Sequence, residues 1–136
     1  MEMSKDEYKP YICSLVRFMV KNGYTSKPLP KVVLRDEEQE GVFISTAHYV
    51  ISEKKVVLYI NGRHPKDVLR SLAHELIHHK QNLEGRLTED IANYGCLEDN
   101  DELLPLEEEA YMKGNVAFRL WTENNRIRLQ LQETTI

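Results

Sequence analysis

Two periodicities divide the chain. Over residues 4–22, Tyr8, Ile12, Leu15, Phe18 and Met19 recur near helical spacing, which predicts an amphipathic helix. Gly23 stops that pattern, and Pro28 and Pro30 keep the following segment extended. Three strand-like runs come next: KVVLR at 31–35, VFISTAHYVI at 42–51 and VVLYI at 56–60. The acidic DEEQEG separates the first two, and SEKK reads as the tip of a hairpin between the second and third. A small, largely antiparallel sheet, or a mixed one, of about three strands is expected. NGRH then breaks the sheet ahead of a second helix.

That second helix carries the clearest signals. Pro65 suits the first helical position and Asp67 places an acid in the positive first turn. Leu69, Leu72, Ala73, Leu76, the stem of Lys80, and Leu83 form a buried stripe, and Gly85 can close the C-terminus. After a loop of about 20 residues, a further helix is expected over roughly residues 106–123. Its stripe of Leu106, Ala110, Gly114, Ala117 and Trp121 contains small residues that permit close packing. The tail IRLQLQETTI alternates apolar and polar residues, as a strand or a continued helix would. Helices on a short sheet make an α+β class, and 136 residues without repeats or linker predict a single domain over 1–136.

Composition narrows the functional classes. At 41% hydrophobic and 29% charged, the chain can bury one core. No run approaches the ~18 apolar residues of a membrane span, and the first 15 residues lack a signal peptide's apolar region. A cytoplasmic, intracellular protein without membrane attachment is expected. Two cysteines, Cys13 and Cys96, make no disulfide scaffold and read as plain buried thiols. A net charge of −4 argues against nucleic acid as a partner. Residues 84–109 hold ten acids and one base, a local −9 that leaves +5 for the rest, and read as a solvated loop.

The second helix contains His74-Glu75-Leu76-Ile77-His78, an HExxH sequence. Histidines at i and i+4 lie one turn apart on one face, so both imidazoles can reach one ion. Glu75 sits about 100° round the helix from His74, a poor ligand position but a good one for a general base. A catalytic zinc needs a third protein ligand. Glu84 is carried away along the helix, because Gln81 stands where a glycine would let the chain turn. Cys96 follows the motif, whereas the cysteine ligand of peptide deformylases precedes it. The better source is LEEEAY on the later helix, where Glu108 falls on the wet side and Glu107 and Glu109 flank the apolar stripe. Glu109 is the favoured ligand, with Glu107 in reserve; charge placement at the helix N-terminus would account for the same acids without a metal.

HELIH on a helix after a small sheet, with a Glu-x-Glu-Ala run on a second helix, resembles the gluzincin branch of zinc metallopeptidases. Among gluzincins the chain looks closest to the minimal members: minigluzincins, metallopeptidase domains associated with phage-repressor regulation, and compact phage or viral peptidases. The resemblance covers roughly residues 32–121. It implies a zincin-like fold, with an N-terminal helix, an HExxH active-site helix and a C-terminal ligand helix packed on the sheet. It further implies one Zn2+ held by His74, His78 and Glu109, with Glu75 as the base that activates water on the ion to hydrolyse a peptide bond. Larger gluzincins often carry an Asp four residues after the ligand Glu to orient a histidine; counted from Glu109, that position is Lys113.

A peptide or protein substrate is thus the expected partner, paired with an edge strand of the 42–60 hairpin. The chain is taken as a monomer. The competing reading is a catalytically inactive, zinc-stabilised binding or regulatory module. Tyr94, Tyr111 and His64 are candidates to stabilise an oxyanion. His79 is expected near the ligands or at the surface, and His48 as a sheet histidine. Residues 98–101 read as a solvated turn, since they lack an EF-hand's spacing.

Overall fold

A computed structural model of the chain describes residues 2–41, 45–92 and 100–124. The order of elements is α1 (Lys5–Lys21), β1 (Lys31–Arg35), β2 (Ala47–Val50), β3 (Lys55–Tyr59), α2 (Pro65–Leu83), α3 (Glu89–Ala92) and α4 (Leu103–Asn124). This is an α+β arrangement of four helices and a three-stranded sheet among the described residues. None of the described helices is long and apolar enough to cross a membrane.

Local chemistry sets most boundaries. Ser4 caps α1 through a reciprocal box: its hydroxyl accepts from the Glu7 amide, and the Glu7 carboxylate accepts from the Ser4 amide. Pro65 opens α2, and the His64 side chain accepts from the Lys66 amide as the N-cap. At the other end the Arg86 and Leu87 amides bond back to the Gln81 carbonyl, a reversal made at Gly85, whose φ is +77°. Within the expected solvated turn, residues 98 and 99 lie outside the described residues and Asp101 is exposed. Asn100, however, is buried, and its side-chain oxygen accepts from the amides of Glu102 and Leu103 at the start of α4. The second strand is shorter than the pattern over 42–51 predicts; residues 42–44 and the tail 125–136 lie outside the described residues.

The sheet order is β1-β3-β2. β2 pairs antiparallel with β3, as a hairpin must, with Ala47 opposite Leu58 and Val50 opposite Lys55. β1 pairs parallel with β3, Lys31 opposite Lys55 through Arg35 opposite Tyr59. The sheet is therefore mixed, one of the two arrangements expected: the hairpin takes one edge of β3 and β1 takes the other. β3 is central and carries Val56, Val57 and Leu58, all buried.

The core lies where α1, α2 and α4 meet the sheet. Tyr8, Leu15 and Met19 of α1, Leu69, Leu72 and Leu76 of α2, and Trp121 of α4 are fully buried. α2 and α4 approach closely at Gly114: a methyl group built there would lie 3.0 Å from the His74 Cα. The small residues in the α4 stripe thus do what their spacing predicts. They bring the N-terminal part of α4 alongside the HExxH segment.

Candidate metal centre

His74 and His78 leave α2 on the side facing α4, their ring centroids 4.8 Å apart. Both Nε2 atoms converge on one oxygen, Glu107 Oε1, at 3.1 Å and 3.0 Å. The three ligand atoms lie within 4.8 Å of one another, and the group could hold a metal ion. Around a tetrahedral ion with bonds of ~2.0–2.1 Å, ligand atoms stand about 3.3–3.4 Å apart, so the two short His–Glu spacings need little adjustment.

The glutamate that reaches the histidines is Glu107, not the favoured Glu109. Glu109 is drawn to the side of α2: both of its oxygens accept from Arg86 at 3.1 Å, and Gln81 Nε2 donates to it at 2.9 Å. The Arg86 hydrogen bond, outweighing partial burial, holds the Glu109 carboxyl down at about 2. Lys113, four residues on, reaches the same carboxylate at 3.4 Å. Glu108 is exposed, and Glu84 caps the end of α2 and pairs with Arg86. Cys96 lies outside the described residues.

Gln81, read from sequence only as a missing glycine, organises the site. Its Nε2 donates to the Leu106 carbonyl and to Glu109, so its Oε1 accepts from His78 Nδ1 at 2.8 Å. That contact places a proton on Nδ1 and turns Nε2 of His78 toward Glu107. Burial disfavours the His78 cation, but hydrogen bonds to Glu107 and Gln81 and the charges of Glu75 and Glu107 outweigh it and raise its pKa. Hydrogen bonds from His74 and then His78 drive the Glu107 carboxyl far below the usual carboxylate range. The contacts of the two imidazoles with one carboxylate oxygen occupy the place where one divalent ion would fit. His74 Nδ1 is buried without a hydrogen-bond partner among the described residues, and the Tyr111 ring lies 4.4 Å from the His74 ring.

Glu75 points to the sheet side and is 8% exposed. Burial raises its pKa, against the pull of His78 and His74. Thr46 and Ala47, His74, Glu75 and Glu107 line a cleft of about 290 Å³, with Tyr111 and Arg70 also on its walls. β2 borders this cleft and has an unpaired edge among the described residues, whereas β3 is paired on both sides.

The remaining histidines do structural work. His79 is fully buried, neither at the surface nor beside the ligands. Its Nε2 donates to the Pro28 carbonyl and its Nδ1 accepts from the Tyr49 hydroxyl, both at 2.7 Å; that hydroxyl accepts in turn from Asn82. Burial lowers the His79 pKa, which keeps the ring neutral. His64 caps α2, and exposed His48 lies on β2 against Tyr59. Tyr94 lies outside the described residues. Comparison with known proteins returns no matching family model, curated protein or solved structure.

Proposed function

We propose that the chain is a zinc-dependent peptidase of the gluzincin type, with His74, His78 and Glu107 as the metal ligands. The observation that supports this reading is the convergence of two imidazole nitrogens and one carboxylate oxygen from separate helices beside a buried glutamate and an open cleft. Two His and one Glu form the donor set of catalytic zinc sites that keep a fourth position open. When bound, zinc supplies a Lewis acid that polarises a carbonyl and makes water acidic near neutral pH.

The chain's own residues divide the other tasks. Glu75, whose burial raises its proton affinity, takes a proton from the attacking water and delivers it to the leaving amine. Gln81 holds His78 in the tautomer that leaves Nε2 free. The open edge of β2 receives an extended peptide, whose backbone pairs with it above the histidines. One difference from larger gluzincins concerns the position four residues after the ligand glutamate. Counted from Glu107 it is Tyr111, whose ring packs on His74, and His74 Nδ1 has no hydrogen-bond partner among the described residues.

Metal analysis of the purified protein beside three variants tests the ligand set. His74→Ala and Glu107→Ala should lose stoichiometric zinc, and Glu109→Ala should retain it. Glu75→Gln should keep the metal and abolish peptide cleavage. Retained zinc in Glu107→Ala would overturn the ligand assignment. Metal without cleavage in the unmodified chain would leave a metal-stabilised binding module.

A further inference from the structure

The cleft wall on the N-terminal side of His74 carries a cation that the proposed chemistry does not use. Arg70 stands one helical turn before His74, an axial distance of about 6 Å, and lines the same cleft. Two contacts hold its guanidinium in place. Asp67 Oδ1 accepts from Nη1 at 2.8 Å, and the group lies 5.2 Å from the centre of the Phe118 ring, which α4 presents. A guanidinium has five N–H donors; among the described residues Arg70 makes no other hydrogen bond. Its side chain is 46% exposed. Beside it, Ser71 Oγ accepts from Arg63 Nη2 at 2.9 Å, which leaves the hydroxyl proton for an acceptor in the cleft. Asn115 adds an amide to the same wall.

We infer that Arg70, with Ser71, selects substrates bearing a carboxylate within one or two residues of the scissile bond. The inference rests on the peptidase reading and adds a substrate class to it. The acids in the cleft do not cancel the selection. A divalent ion would balance Glu107 and Glu75, and Asp67 pairs with Arg70 through Nη1 alone, so the remaining guanidinium N–H donors are left to face an acceptor in the cleft. Planar donors and a planar acceptor then match as a fork. A peptide offers that acceptor in two ways, as an Asp or Glu side chain or as its C-terminal carboxylate.

The test measures binding apart from turnover. Zinc-loaded Glu75→Gln protein is titrated with fluorescein-labelled octapeptides that differ only in holding Glu, Gln or Lys at each central position. Each peptide is made as the free acid and as the C-terminal amide. Glu at one position should bind about tenfold tighter than Gln, with Lys weakest. Adding Arg70→Gln should erase the difference, Arg70→Lys should keep part of it, and Arg70→Glu should turn the preference toward Lys. A preference shown by the free acids whatever the central residue assigns the site to the C-terminal carboxylate. Equal or absent binding of all the peptides, or a preference that survives Arg70→Gln, overturns the inference. Cleavage of the same peptides by the unmodified chain without acid preference would sink it while leaving the peptidase reading intact. Acid-selective binding that Arg70→Gln erases, with no cleavage by the unmodified chain, would keep Arg70 as a carboxylate-binding group while sinking the peptidase reading and the place relative to a scissile bond.

Discussion

His78 and His79 are neighbours on α2, both buried, and their surroundings have opposite effects. At the corner where α2 meets α4, His78 faces a carboxylate and a side-chain amide, and its pKa is raised. At the corner where α2 meets β2, His79 faces a hydroxyl and a backbone carbonyl, and its pKa is lowered. The second corner is closed: each nitrogen of His79 has one neutral partner, and the ring ties α2 to Tyr49 of β2 and to the loop after α1. The first is held together by contacts of two imidazoles on Glu107, a group that could hold a metal ion. One corner fixes where the edge strand lies relative to the helix; the other gathers the group that could hold a metal ion.

Metal exchange gives the largest expected contrast between the corners. A ligand that binds only the folded chain stabilises it by about 4 kcal/mol when present at a thousand times its dissociation constant. Unfolding by urea with excess zinc, and again after chelation, should differ by an amount of this order. The ring signals of His74 and His78 should shift in NMR spectra while those of His79 stay in place. A shift confined to His79, or no zinc dependence of stability, would break the contrast.

His79→Ala attacks the closed corner. It removes a fully buried ring and leaves the Pro28 carbonyl and the Tyr49 hydroxyl without their partner. A cavity and stranded polar groups together should cost about 2–4 kcal/mol, read as a lower urea midpoint in chelated protein. Zinc stoichiometry should be unchanged, because His79 turns about 100° from His78 round the helix to bond Tyr49 and Pro28 instead of Glu107. If stoichiometric zinc is lost while the variant remains folded, the two corners are not independent.

What sequence could reach follows the range of the forces involved. Pro65 at the start of α2, the stripe through Gly114 and the one-turn spacing of His74 and His78 are local, and each stands in the structure where its pattern puts it. The choice between Glu107 and Glu109 is not local. Both flank the same stripe, and the rotation of α4 against α2 decides between them. That rotation is held by Gln81 on the Leu106 carbonyl and by Arg86 on Glu109, contacts that span more than twenty residues. The parallel pairing of β1 with β3 is likewise long-range, joining residues 24 positions apart such as Lys31 and Lys55. His79 was misplaced for a related reason: its place on the helical wheel is clear, but its partners come from β2 and the loop holding Pro28.

The smallest predicted effect probes whether the open corner depends on Glu109 as well as Glu107. Glu109→Gln keeps the shape and an acceptor for Gln81 but removes the charge that pairs with Arg86. The folded carboxyl titrates at about 2 against an ordinary value of 4.5, so its contribution is fully present above pH 4.5. It falls away as acidification approaches pH 2. Arg86 is partly exposed and the pair is screened by solvent, so the loss at pH 7 should be under about 1 kcal/mol. Urea midpoints of chelated protein and variant, compared from pH 6 to pH 3, should draw together as the pH falls. A gap that holds constant to pH 3 would show that the charge on Glu109 does not stabilise the fold. A gap that widens would reverse the sign of the linkage and remove Arg86 as the residue that sets the phase of α4.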